Sequence, residues 1–141
     1  MKGAIEGSCL CGAVRFAAKR MSGIVACHCS MCRKAAGGAY GAFFVARRDE
    51  VTWAGEAYLV EYKSSPLLVR SFCSRCGTAM TGANLIEADE TIILAANALD
   101  NDVPGRVIAV EHAASMTSWA ESAEEAPHFD GPYPGWEKLT P

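Results

Sequence analysis

The seven cysteines of this chain are not scattered. Cys27, Cys29 and Cys32 sit close together in the stretch Ala26-Cys27-His28-Cys29-Ser30-Met31-Cys32-Arg33-Lys34. Cys9 and Cys11 form a CxC pair upstream, and Cys73 and Cys76 form a CxxC pair downstream, each pair followed directly by a glycine, Gly12 and Gly77. A metal ion needs several thiolates converging within about 2.3 Å of one point, and close spacing delivers two or three of them from a single turn. Disulfides suit the pattern poorly, because the count is odd and a CxC pair is too close to bridge comfortably. Free cysteine also serves as a small buried hydrophobe, but residues in that role have no reason to cluster.

The glycines give the grouping a mechanical basis. A residue just past a ligating turn often takes a positive φ so that backbone N–H groups can point at the sulfurs, and glycine does so without steric cost. Pairing the two glycine-closed clusters yields one complete four-thiolate site from Cys9, Cys11, Cys73 and Cys76. The remaining three thiolates, Cys27, Cys29 and Cys32, make a second site. Four protein ligands around zinc make a closed structural centre, whereas three leave a position for water or substrate. The three-cysteine centre is therefore the reactive candidate, with Cys27, Cys29 and Cys32 as both ligands and catalytic residues. His28 lies between two proposed ligands, and adjacent residues in extended chain face opposite ways. It is expected to orient the loop rather than to ligate.

With 141 residues, half of them hydrophobic, and a net charge of −3, the chain reads as one globular domain spanning 1–141. A general nucleic-acid binder would carry a basic excess, so nucleic acid is not expected as a partner. Met1 to Ser8 contain no apolar run of signal-peptide length, and no stretch is long and apolar enough to span a bilayer. A cytoplasmic setting, where thiols stay reduced, is the expectation.

The chain reads as mainly β. Ala13 to Ala18 alternates apolar and open positions, and Ile24-Val25-Ala26 leads into the central cluster. Ser30 is placed to cap a short helical turn through Ala35, ended by Gly37-Gly38. Tyr40 to Ala46 reads as a buried strand, followed by the charged turn Arg47-Arg48-Asp49-Glu50. Val51-Thr52-Trp53 and Ala57 to Tyr62 flank a tight connection at Ala54-Gly55-Glu56. Leu67 to Phe72 carries a strand into the CxxC and Thr78 to Thr81 carries it out. Thr91 to Ala96 and Val107 to Glu111 are further strands, separated by a loop at Asn97 to Gly105. After Trp119 the chain turns acidic, and Pro127, Pro132, Pro134 and Pro141 prevent continuous regular structure. Phe129, Tyr133 and Trp136 argue against a free tail, so residues 120–141 are read as an extended segment packed on the domain.

Gly7-Ser8-Cys9-Leu10-Cys11-Gly12, Cys27-His28-Cys29-Ser30-Met31-Cys32-Arg33-Lys34 and Phe72-Cys73-Ser74-Arg75-Cys76-Gly77, in that order, resemble the glutathione-dependent formaldehyde-activating family, whose domain also occurs in centromere protein V. The likeness covers about the whole chain, including a loop near Leu99-Asp100 and Trp119. It implies a β-tent of short antiparallel strands stapled by two zinc ions. A structural zinc would sit on Cys9, Cys11, Cys73 and Cys76, and a second zinc on Cys27, Cys29 and Cys32. It also implies glutathione as co-substrate and a carbon–sulfur lyase type of reaction between a small thiol and a small aldehyde such as formaldehyde. Basic candidates for the carboxylates of glutathione are Arg33, Lys34, Arg47, Arg48, Lys63, Arg70 and Arg75, with Arg33 and Lys34 foremost because they adjoin the three-cysteine cluster. The competing reading is a non-enzymatic zinc module that binds protein or chromatin and needs only closed sites.

Overall fold

The structure, a computed structural model, describes residues 4–103 and 105–141, so Met1–Gly3 and Pro104 lie outside the described residues. Short strands dominate: β1 (Ile5–Ser8), β2 (Arg15–Ala18), β3 (Ile24–Cys27), β4 (Gly41–Arg47), β5 (Val51–Ala54), β6 (Leu59–Lys63), β7 (Leu68–Cys73), β8 (Asn84–Leu85), β9 (Thr91–Ala95) and β10 (Val107–Glu111). The helices α1 (Ser30–Ala36) and α2 (Ser118–Glu121) are brief. The strands form three small sheets, ordered β1-β2-β5, β10-β3-β4-β9 and β6-β7-β8. The mainly β reading holds.

The strand β4 explains how the core is divided. Its neighbours Phe43 and Phe44 are both buried, and successive side chains on a strand face opposite ways. Phe44 joins the main core with Val14, Phe16, Met80, Ile92 and Leu94, into which Cys9 and Cys73 are also packed. Phe43 joins a second, smaller cluster with Cys27 and Cys32, against which Cys29 and Ile93 pack. The same alternation on β9 sends Ile92 and Leu94 to one side and Ile93 to the other.

Several connections differ from the local reading. The tight connection at Gly55 (φ 77°) is present, and the strands it joins, β5 and β6, enter different sheets, a point on which the local sequence is silent. Thr78 to Thr81 is no strand. It forms single bridges, Phe72 with Ala79 on one side and Thr81 with Leu94 on the other, so it links two sheets instead of extending one. Pairing is antiparallel except at one edge, where β10 runs parallel to β3 with an irregularity between Val107 and Ala109. The chain leaving β9 crosses β4 and β3 before pairing, which local sequence does not encode. Strands β1 and β8 are too short and weakly patterned to stand out in the sequence. Residues 122–141 form short turns and keep nearly all their side chains exposed. Phe129, Tyr133 and Trp136 contact one another edge-on, at centroid distances of 5.7 and 6.3 Å.

Asn84 stitches β8 to β9. Its Oδ1 accepts the Ile93 N–H at 2.7 Å and its Nδ2 donates to the Ile93 carbonyl at 3.1 Å, with the residue 6% exposed. Asn84→Ala leaves both backbone groups without that partner, so a loss of about 2 kcal/mol is expected. A denaturant or thermal melt checks it, and an unchanged midpoint would contradict this account of the joint.

Candidate metal centres

The first centre gathers residues far apart in sequence. The sulfurs of Cys9, Cys11, Cys73 and Cys76 all lie within 4.8 Å of one another. Cys9 Sγ is 3.6 Å from Cys11 Sγ, and Cys11 Sγ is 3.9 Å from Cys73 Sγ. Four sulfurs on a tetrahedral zinc would be about 3.8 Å apart, so the donor set fits that ion. Two similar turns build it. Gly12 and Gly77 adopt φ of 75° and 77°, and their N–H groups donate to the carbonyls of Cys9 and Cys73 at 2.9 and 2.8 Å. Val14 N–H donates to Cys9 Sγ at 3.2 Å, and Arg75 N–H points at Cys73 Sγ at 3.4 Å. Hydrogen bonding from Thr78, through its hydroxyl and its backbone N–H, lowers the Cys76 thiol to about 5, which favours the thiolate a metal requires.

The second centre is local. Cys27 ends β3, Cys29 follows it, and Cys32 sits in α1; their sulfurs also lie within 4.8 Å of one another. The cap of α1 is Cys29, not Ser30: Cys29 has extended backbone and its Sγ accepts the Cys32 N–H at 3.3 Å. A sulfur thus performs the capping task usually given to a side-chain oxygen. Burial opposes ionisation of Cys29, yet the Cys32 N–H and the neighbouring thiols outweigh it and hold its thiol below the ordinary value. Burial pushes the Cys27 thiol up.

His28 is 4% exposed and is not among the grouped donors. Its backbone N–H donates to the Glu111 carbonyl at 3.1 Å, and its own carbonyl accepts from Arg33 Nε at 3.0 Å. Its ring lies 5.2 Å from that of Tyr40, with Nδ1 buried and unpaired. Those contacts tie the loop to β10 and α1.

The basic candidates divide clearly. Arg47 pairs with Asp49, Arg48 donates to the carbonyls of Ala88 and Thr91, and Arg75 lies over the Tyr58 ring beside the first centre. Lys63 lines a groove of about 590 Å³ that contains no cysteine. Lys34 and Arg70 line a cleft of about 370 Å³ together with Met31, Tyr62 and Phe72. Cys32 opens on a second, mostly apolar cleft of about 240 Å³ walled by Val25, Phe43, Val45 and Ile93. Arg70 joins the two, its Nη2 lying 3.6 Å from Cys32 Sγ. In sequence Arg70 is one basic residue among seven candidates; its only local signal is a charge inside the apolar run Leu67 to Phe72.

A mainly β domain with two cysteine groups, one of four sulfurs and one of three, defines a class of small sulfur-stapled proteins. The family model described as glutathione-dependent formaldehyde-activating enzyme matches residues 4–122, and the chain belongs to that family. A protein of Halomonas elongata, provisionally named as a glutathione-dependent formaldehyde-activating enzyme, is 35% identical to it across 71% of this chain and 68% of the relative. Among the described residues no helix is long and apolar enough to cross a membrane.

The two centres differ in what they hold together. Cys11 and Cys73 are 62 residues apart and join β7 to the loop after β1, whereas Cys27 to Cys32 close one turn. Binding energy at a structural zinc site of small peptides is on the order of 10 kcal/mol and is also folding energy. Cys73→Ser is therefore expected to lower the melting temperature far more than Cys29→Ser. Equal losses in thermal melts of the two variants would refute the division of roles.

Proposed function

We propose that this protein catalyses the reversible addition of a small thiol, glutathione, to formaldehyde or a related small aldehyde, at the centre formed by Cys27, Cys29 and Cys32. The observation that carries this reading is the sulfur count: the first group supplies four donors and the second only three. Family membership supports the substrate pair. The sulfur donors suit zinc at both centres, closed at Cys9, Cys11, Cys73 and Cys76 and open at the other. A zinc ion at the open centre would keep an added thiol deprotonated and fixed in orientation at neutral pH, where a free thiol of pKa about 8.5 is mostly protonated.

The residues around the centre answer the rest of the chemistry. The thiol sulfur forms a bond to the aldehyde carbon while the carbonyl electron pair moves to oxygen, which then takes a proton. The product is S-hydroxymethylglutathione, and the reverse step is carbon–sulfur cleavage. Three cysteine thiolates and a substrate thiolate on one divalent cation leave a net charge of −2, so cations nearby are needed. Lys34 lines the 370 Å³ cleft and would meet a carboxylate of the thiol there. Arg33 helps by holding the His28 carbonyl and so the ligand loop. Reduced cysteines fit a cytoplasmic setting.

Cobalt-substituted protein is expected to change its absorption when glutathione is added, because three thiolates become four around one ion. The four-cysteine centre should not respond. Cys29→Ser should remove the response and leave the other cobalt bound. A wild-type spectrum that does not move at millimolar glutathione would defeat this reading and favour a closed zinc module that binds a protein partner.

A further inference from the structure

Arg70 carries a charge in a place where charge is costly. The residue is 8% exposed within β7. Neither ion pair found among the described residues involves it; those are Arg20 with Glu50 and Arg47 with Asp49. Its Nη2 meets Cys32 Sγ at 3.6 Å, and its Nη1 is buried with no hydrogen-bond partner. Buried guanidinium groups are paired or hydrogen-bonded as a rule. Among the described residues the one side-chain partner of Arg70 is Cys32 of the three-cysteine centre, and one of the two terminal nitrogens is left over.

We propose that Arg70 is the oxyanion-holding residue of this centre: Nη2 is engaged with Cys32 Sγ, and Nη1 donates to the oxygen that becomes negative as the thiol adds to the aldehyde. The inference rests on the thiol-addition reading of the site and assigns that reading a catalytic residue. A thiol at the open position would stand about 3.8 Å from Cys32 Sγ, the edge of a tetrahedron of sulfurs around zinc. Arg70 Nη2 stands 3.6 Å from the same sulfur, so the guanidinium and the incoming thiol would both adjoin Cys32.

The electron count follows. A sulfur lone pair forms the new S–C bond, the C=O π pair withdraws onto oxygen, and the oxygen takes from solvent a proton equivalent to the one the thiol released. Until then the oxygen is an alkoxide two bonds from sulfur. A rigid planar fork with one arm on Cys32 leaves its other arm for that atom. A donor already aligned in a dry site stabilises developing charge far more than one exposed to water. Lys34 is exposed at the rim and does not offer this.

Arg70→Lys and Arg70→Gln in the full chain test the proposal. Retained metal at the four-cysteine centre, counted by native mass spectrometry, reports that each variant folds. Chelator competition then reads the zinc affinity of the three-cysteine centre: it should be near wild type in Arg70→Lys and weakened roughly tenfold in Arg70→Gln. Glutathione titration of the cobalt forms should give binding in Arg70→Lys within about threefold of wild type. Exchange between formaldehyde and its glutathione adduct, followed by carbon NMR, should fall in kcat by about 10²-fold in both variants, as when an oxyanion donor is removed. Wild-type kcat in either variant overturns the proposal. So does a loss confined to KM for glutathione, which would make Arg70 a thiol anchor, and so does loss of the second metal in Arg70→Lys, which keeps the charge. An unresponsive wild-type cobalt spectrum would instead strike the thiol-addition reading, and the chelator competition would still report on the pairing of Arg70 with the cysteines.

Discussion

The convergence of Cys9, Cys11, Cys73 and Cys76 is the constraint on which the rest of this molecule depends. Three small sheets, the widest of four strands, give each other little edge-to-edge support. The four sulfurs meet where the loop after β1 reaches the end of β7, and the same turns bury Cys9 and Cys73 in the main core beside Phe16 and Phe44. The sulfur cluster and the packing are thus one structure. A metal holding those sulfurs holds the faces of the sheets against each other, and the hydrophobic contacts preset the sulfurs close to the spacing a tetrahedral ion wants.

Against that fixed frame the second centre is differently placed. Its cysteines come from one turn between β3 and α1, with Phe43 and Ile93 beneath them and open clefts on two sides. Backbone N–H groups, a buried guanidinium and a helix cap all bear on the same three sulfurs. The polar groups of the site are therefore organised by the chain before any ligand arrives, which is the condition for stabilising charge at little cost in reorganisation.

Much of this was legible in the sequence, for a physical reason: metal ligation requires donors at close spacing, and the glycines at 12 and 77 announce the positive φ that the structure displays. The strand at Arg15–Ala18 and the helical turn after Cys29 were readable from alternation and from the glycines beyond Ala36. The helix cap was misread at Ser30, because a cysteine sulfur, that of Cys29, accepts the N–H that a hydroxyl would normally take. The parallel seat of β10 and the split of β5 from β6 depend on how the chain travels between sheets, and residues within the strands carry no mark of it. Arg70 was one of seven basic residues because its partner, Cys32, lies 38 positions away.

The adjacent rings of Phe43 and Phe44 give β4 the role of a wall with two differently furnished sides. Substitutions on the Phe43 side alter the room beside Cys32, whereas those on the Phe44 side alter the bulk of the core. Relatives of this chain can therefore diversify in what they accept without renegotiating how they hold together, since inheritance can edit one side of a single strand and leave the other intact.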